Sequence, residues 1–316
     1  MRVIITGGTG LIGHELVMSL ARDGHEVNIL SRNPRQAGPM PETITFHEWD
    51  AQTTEGWGHL VDGADAIVNL AGESIAGEGF LPAKWTDERK KRILNSRLNA
   101  GKAVVEGISA ATIKPKVLIQ ASAIDYYGKH PIDVDITEDS PPGGGFLGDV
   151  CQQWEASTKA VEDMGVRRAV IRTGIVLDKD GGALPRLALP IKLLAGGPIG
   201  SGKQPMSWIH IADEVNAIRF LLDNGDASGP FNLTAPNPVT NAEFGKTLAR
   251  ILGRPFLFPA PAFAFKMAFG EVGGLVTEGQ RVLPRRLLGL GYKFIYETPE
   301  QALTAIYKPQ ALATAS

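Results

Sequence analysis

Between a short run of β-branched residues and an amphipathic helical pattern, the sequence reads Thr6-Gly7-Gly8-Thr9-Gly10-Leu11-Ile12-Gly13. Three glycines at this spacing, closing a strand and opening a helix, demand a turn that few chains can make. Gly7 permits the tight reversal, Gly10 lets backbone come close to a ligand, and Gly13 lets the helix lie directly on the strand. The N–H groups and positive dipole end of such a helix form a seat for a diphosphate. The expected contacts in this turn are Gly7, Thr9, Gly10, Leu11, Ile12 and Gly13.

Further along, β-rich runs alternate with helical patterns. Strands are expected at Val3–Thr6, Glu26–Leu30, Ala66–Leu70, Lys116–Ala121, Arg168–Arg172 and Pro230–Leu233. Helices are expected at Leu11–Asp23, Asp87–Ser109, Asp149–Met164 and Ala212–Asp223, with a separate extended segment at Met206–Ile211. That order implies an α/β fold, a Rossmann-type doubly wound parallel sheet with a smaller, mostly helical C-terminal substrate lobe. The lobe boundaries read as 1–175 with 205–235 for the dinucleotide part, and 176–204 with 236–316 for the rest. Ile124–Gly148, rich in Gly, Pro, Asp and Ser, is too long for a plain connector and reads as an active-site loop.

A formal charge of −2 gives no footprint for nucleic acid or an anionic membrane. The longest greasy stretch, Leu187–Ala195, is broken by Pro190 and Lys192, so no segment spans a bilayer. No signal layout precedes the first strand, and one cysteine, Cys151, suits a reducing compartment; a cytoplasmic protein is expected. Six histidines (14, 25, 47, 59, 130, 210) show no ligand spacing, so no metal is expected.

Two charges refine the ligand. A site for NAD places Asp or Glu at the end of the second strand; here Ser31 and Arg32 stand there, a hydroxyl and a guanidinium suited to a 2′-phosphate. The expected cofactor is therefore NADP(H). Arg97 lies on the apolar stripe Ile93, Gly101, Val104, Ile108, so it either snorkels to an edge or meets a cofactor phosphate in the cleft. The run Glu88–Arg92 reads as a solvated helix surface.

These features resemble the extended short-chain dehydrogenase/reductase superfamily of nucleotide-sugar epimerases and dehydratases. Asp65-Ala66-Ile67-Val68-Asn69-Leu70-Ala71-Gly72, Arg172-Thr173-Gly174-Ile175-Val176 and Ser207-Trp208-Ile209-His210-Ile211-Ala212-Asp213 look like its strand-end motifs. A narrower resemblance is to the atypical branch labelled "epimerase family protein". It is carried by Gly72-Glu73-Ser74-Ile75, Trp85, Ser96-Arg97, Tyr126-Tyr127-Gly128, Val150-Cys151 with Trp154-Glu155, Gly200-Ser201-Gly202 and Asn241-Ala242-Glu243-Phe244. Phe269-Gly270-Glu271, Gly279-Gln280-Arg281-Val282 and Pro284-Arg285-Arg286 resemble that branch's C-terminal domain of unknown function. The resemblance implies NADP(H) contacts at Ser31, Arg32, Leu70, Ala71 and Arg97, and near Gly72, Ala121 and Val176.

One departure is informative. Ordinary members of that superfamily carry a Tyr-x-x-x-Lys pair on the helix after the long loop, the two side chains sharing one face. Here the two possible registers give Val150/Trp154 and Cys151/Glu155, and Lys159 is preceded four residues earlier by Glu155. The usual Ser or Thr position holds Ala123, with Ser122 one residue earlier. Ser122 and Tyr127 are the substitute groups expected to polarise a carbonyl, with Cys151 an alternative acid and Asp125 or Glu138 an alternative base. For the tyrosines and for Cys151 and Trp154, ordinary packing is the simpler expectation. Two functions stay open: an NADP-dependent oxidoreductase or epimerase acting on a small polar substrate such as a nucleotide sugar, and a non-catalytic NADP(H)-binding protein that presents a surface to a partner.

Overall fold

The computed structural model describes residues 1–34, 41–77, 79 and 81–308. Seven parallel strands form one sheet: β1 (Arg2–Thr6), β2 (Glu26–Ser31), β3 (Ile44–Glu48), β4 (Ala66–Asn69), β5 (Val117–Ala123), β6 (Arg167–Thr173) and β7 (Gly229–Leu233). Their order, β7-β6-β5-β4-β1-β2-β3, reverses at β1/β4, where Ile5 stands opposite Ile29 on one side and Val68 on the other. This is the expected Rossmann-type α/β fold. Ligands of such sheets sit outside the carboxyl ends of the strands, at that reversal.

Alternation along each strand feeds two cores. Val3, Ile5, Val27 and Ile29 pack beneath α1 (Leu11–Arg22) and α5 (Ile211–Asp223). Ile4, Ile67 and Leu118 pack beneath α2 (Asp87–Ala110) with Val104 and Ile108. In α1, Leu16, Val17 and Leu20 are buried at the i, i+1, i+4 spacing of one helix face, each contributing about 1.5–3 kcal/mol. A third core joins Leu184 and Ala188 of α4 (Leu184–Lys192) to Phe244 and Leu248 of α6 (Asn241–Leu252), with Trp208 and Leu303. The C-terminal lobe is fastened at α5, where the fully buried Asp213 accepts the backbone N–H groups of Ile295 (2.7 Å) and Tyr296 (2.9 Å).

Several elements differ from the expectation. β3 is an additional edge strand. The helix expected at Asp149–Met164 begins earlier and is divided into α3 (Phe146–Ala156) and a 3₁₀ segment, Lys159–Met164. α4 and α6 form where no helix was read. Pro190 falls in the last turn of α4, where it removes one backbone hydrogen bond. Among the described residues no helix is long and apolar enough to cross a membrane.

Candidate functional site

The glycine turn is held by contacts that exclude side chains. Gly7 has φ +70°, and a Cβ there would stand 2.9 Å from the carbonyl carbon and oxygen of Leu70. A Cβ on Gly13 would lie 2.2 Å from the Gly7 carbonyl oxygen. Thr9 and Gly10 are exposed, and Gly10 caps α1 without any side-chain hydrogen bond, so the first N–H groups of that helix remain for a ligand. Beneath the turn runs a buried relay. Thr6 Oγ1 donates to Asn69 Oδ1 (2.6 Å), Asn69 Nδ2 to Gln120 Oε1 (2.9 Å), and Gln120 Nε2 to the Ala121 carbonyl (2.8 Å). Thr6 Oγ1 also accepts the Ala71 N–H at 3.1 Å, so the ends of β1, β4 and β5 are set by one another.

The other expected cofactor residues fall around this turn. Ser31 ends β2 and accepts the Asn33 N–H (3.2 Å); Arg32 is exposed, with no hydrogen bond or ion pair to another described residue. Leu70 and Ala71 lie against Gly7. Ala121 is buried within β5, and Val176 sits in a short strand, Ile175–Leu177, paired in parallel with Trp208–His210. Leu11 is covered by Gly181, whose Cβ would meet it at 2.6 Å.

Arg97 neither snorkels free nor points wholly into an open cleft. It is partly buried, with Nη1 donating to the carbonyls of Glu73 (3.0 Å) and Ile93 (2.9 Å) and its guanidinium 4.8 Å from the Trp154 ring. A Cβ on Gly72 would come within 3.0 Å of it. Pieces that stand far apart in sequence meet here: Glu73 N–H donates to Ser96 Oγ (2.9 Å) and Trp85 Nε1 to the Ile75 carbonyl (2.8 Å). The basic run is not simply solvated, which corrects the expectation for Glu88–Arg92. The Arg89 side chain is 12% exposed and donates to the Ser74 carbonyl, while Lys90 pairs with Glu271 of the C-terminal lobe at 2.8 Å.

The expected carbonyl-polarising groups, Ser122 and Tyr127, both make buried hydrogen bonds within the fold. Ser122, at 4% exposure, donates to Glu155 Oε1 (2.7 Å), so its hydrogen is already spent on a carboxylate. Arg172 grips the same carboxylate with two bonds, Nε to Oε1 (2.8 Å) and Nη2 to Oε2 (2.9 Å). Burial opposes the Arg172 charge, but the bonds to Glu155 outweigh it and hold the guanidinium pKa above its ordinary value. Tyr127 has no exposed surface; its hydroxyl donates to Asn232 Oδ1 (2.6 Å) and accepts from Arg172 Nη1 (3.0 Å). Burial pushes that phenol up to about 12, the wrong direction for a proton donor working near neutrality. Tyr126 lies under the Arg172 guanidinium, 3.4 Å from its ring centre.

Cys151 is buried, and burial lifts its thiol to about 12. Glu138 is buried too, its Oε1 accepting the N–H groups of Asn232 (3.0 Å) and Arg286 (3.2 Å), a structural clasp and not a base facing a cleft. Asp125 is partly exposed in the 3₁₀ turn Ile124–Tyr127. Sequence reading missed the Glu155–Arg172 pair, although an arginine near the end of an apolar strand signals a buried partner. It also missed Glu214 on α5, fully buried, accepting from Thr173 Oγ1 (2.7 Å), with its carboxyl pushed up to about 8 by burial.

Comparison with known proteins matches two parts of the chain. Residues 3–145 match the model of the NAD dependent epimerase/dehydratase family, and residues 260–306 match a domain of unknown function, DUF1731. Epimerase family protein YfhF of Bacillus subtilis is 41% identical over 97% of this chain and 98% of its own length. The chain belongs to the epimerase family. Another member, the chloroplastic SDR39U1 homolog of Arabidopsis thaliana, is 41% identical over 97% of this chain and 86% of its own length. Human epimerase family protein SDR39U1, solved with NADPH, superposes with a TM-score of 0.84 at 34% identity, over 97% of this chain and 99% of its own. The C-terminal motifs Phe269–Glu271, Gly279–Val282 and Pro284–Arg286 lie within the second matched domain, in keeping with the resemblance read from the sequence.

Proposed function

We propose that this epimerase family member binds NADP(H) and uses it in an oxidoreductase or epimerase reaction on a small polar substrate of the nucleotide-sugar kind. The observation that carries the reading is the turn from Gly7 to Gly13. Gly7 and Gly13 stand where a Cβ would collide with backbone, and the first N–H groups of α1 have no side-chain cap. Arg32, exposed at the end of β2, and the neighbouring Ser31 hydroxyl suit a 2′-phosphate, and Arg97, packed beside Gly72, would meet the diphosphate. The human relative solved with NADPH supports the same choice. When bound, the cofactor supplies or accepts a hydride at its nicotinamide ring; the chain orients it and excludes water. The dinucleotide belongs to residues 1–175 with 205–235, the substrate to 176–204 with 236–316, and a reducing, cytoplasmic setting suits the single thiol.

A second reading, a non-catalytic NADP(H)-binding protein that serves a partner, draws on the commitment of Ser122 and Tyr127 to buried bonds. Native mass spectrometry of protein purified directly from cells separates the two. A co-purified dinucleotide together with a second small molecule favours the enzyme, dinucleotide alone with a stoichiometric protein favours the partner role, and no bound dinucleotide on added NADPH contradicts both.

A further inference from the structure

The glycine turn lies at the carboxyl ends of the strands. At the opposite, amino ends of β6 and β7 the surface opens into a cleft of about 760 Å³, a volume suited to a small molecule. The six residue steps of β6 from Arg167 to Thr173 set it roughly 20 Å from the carboxyl end. Three arginines line it: Arg167 and Arg168 from the start of β6, and Arg286 from the short helix Arg285–Gly289. Consecutive strand residues point to opposite faces of a sheet, so the first two leave β6 on different sides. Arg167 Nη1 donates to the carbonyls of Leu221 (2.9 Å) and Ala227 (2.6 Å), and Nη2 to that of Leu222 (2.9 Å). Arg286 donates to the carbonyls of Pro230 (2.7 Å) and Ser228 (2.6 Å), with its guanidinium 4.5 Å from the Phe231 ring centre. Gly229 makes room for it, since a Cβ there would stand 3.0 Å from Nη1.

These five bonds fix two guanidiniums in place without neutralising them, because all end on main-chain carbonyls. Among the described residues no carboxylate pairs with either side chain. Burial pulls the Arg167 pKa below its ordinary value, and no acidic neighbour restores it. Glu138 takes the Arg286 main-chain N–H (3.2 Å) from the interior. Glu162, which does line the cleft, is held by Arg168 Nε at 2.7 Å; the nearby Asp163, Asp223 and Asp226 do not line it. Three positive charges thus meet one negative. Ser228 adds an exposed hydroxyl and, like Gly225, a main-chain N–H with no acceptor among the described residues.

We infer that this cleft binds the phosphoryl group of a small anionic molecule, at a second site remote from the glycine turn. Pinned guanidiniums with spare N–H groups are strong partners for phosphate oxygens. A tetrahedral phosphoryl group presents oxygens in several directions and can accept from β6, from the Arg285–Gly289 helix and from Ser228 together. A planar carboxylate is satisfied by one guanidinium fork and uses fewer of these donors. The chain as a whole carries a formal charge of −2, so the excess is local and suits a small anion better than an extended polyanion. The cleft shares no residue with the expected dinucleotide contacts, so either site can fail without the other.

Calorimetric titration of sodium pyrophosphate and of sodium malonate into the full chain at low ionic strength tests the assignment. Pyrophosphate also suits the glycine turn, so Thr9→Asp, which puts a carboxylate on that exposed turn, is titrated beside wild type. Both proteins should bind pyrophosphate with a Kd of about 1 mM or tighter, less tightly as salt is added, and malonate at least about tenfold more weakly. Adding Ser228→Asp to Thr9→Asp places a carboxylate in the cleft and leaves the arginine–carbonyl bonds intact; pyrophosphate affinity should fall at least about tenfold. Adding Arg286→Gln instead removes one charge and should cost about ten- to a hundredfold. Melting curves check that each variant is folded, and the exposed position of Ser228 keeps the test open if Arg286→Gln unfolds. Binding lost in Thr9→Asp alone would place the anion at the glycine turn and overturn the inference. Unchanged affinity in folded Thr9→Asp/Ser228→Asp, malonate bound as tightly as pyrophosphate, or no pyrophosphate binding by wild type would overturn it equally.

Discussion

Ser122 donates its hydroxyl hydrogen to Glu155 Oε1 across 2.7 Å, and Arg172 holds the same carboxylate from the other side at 2.8 and 2.9 Å. A serine at a strand end and a glutamate on the following helix thereby become parts of one buried ion pair, linking β5, α3 and β6. Glu155→Gln keeps the shape but leaves the Arg172 charge uncompensated in an interior where that pair is nearly dry. Urea unfolding should show a loss of about 3–5 kcal/mol; a loss under about 1 kcal/mol would mean that solvent reaches the pair freely.

Tyr127 completes the same network through Asn232. Tyr127→Phe removes one oxygen and strands the Asn232 acceptor and an Arg172 donor, at a cost of about 1–3 kcal/mol. The melting temperature should fall while the folded fraction keeps its NADPH affinity and any turnover. Lost turnover at unchanged stability would return the hydroxyl to the reaction.

Much of the fold was legible because its strongest constraints are local. The Gly7–Gly13 turn, the apolar strand runs and the α2 stripe each carry their own periodicity or steric demand. β3 was not legible: in Ile44-Thr45-Phe46-His47-Glu48 only Ile44 is buried, as befits an edge strand. α6 had a signal that went unread, the capping box in which Thr240 accepts the Glu243 N–H while Glu243 accepts that of Thr240. The site was harder. Sequence places Ser122 and Tyr127 at the right strand end but does not say what they face. The partner of Tyr127 is Asn232, 105 residues away, and nothing local to either residue announces the other.

Arg97 binds two carbonyls with one nitrogen and stacks on Trp154, and the proposed function has the rest of its guanidinium meet a phosphate. Arg97→Met keeps the stem. NADPH affinity should fall about tenfold or more, with a stability loss of about 1 kcal/mol from the two carbonyl contacts. Unchanged affinity by fluorescence titration would confine Arg97 to holding the loop after β4.

Glu214 makes the fold sensitive to alkali. Its folded-state carboxyl, pushed up to about 8, binds a proton that the unfolded chain releases near the ordinary carboxylate value of 4.5. The folded state therefore holds more protons across that window. Its contribution is fully present below 4.5 and is lost as pH rises through about 8, at up to about 1.4 kcal/mol per pH unit. Glu214→Gln should flatten the curve and be the more stable protein on the alkaline side. Parallel pH–stability curves for the two proteins would mean that Glu214 does not titrate as its burial requires.

The central claim is a site for a dinucleotide with a 2′-phosphate, and calorimetric titration of NADPH and NADH into wild type and Arg32→Ala tests it most directly. Wild type should bind NADPH more tightly than NADH, and removing the exposed guanidinium should weaken NADPH alone, by about ten- to a hundredfold. Equal affinities in wild type, equal losses in the variant, or no binding of either dinucleotide would contradict the account.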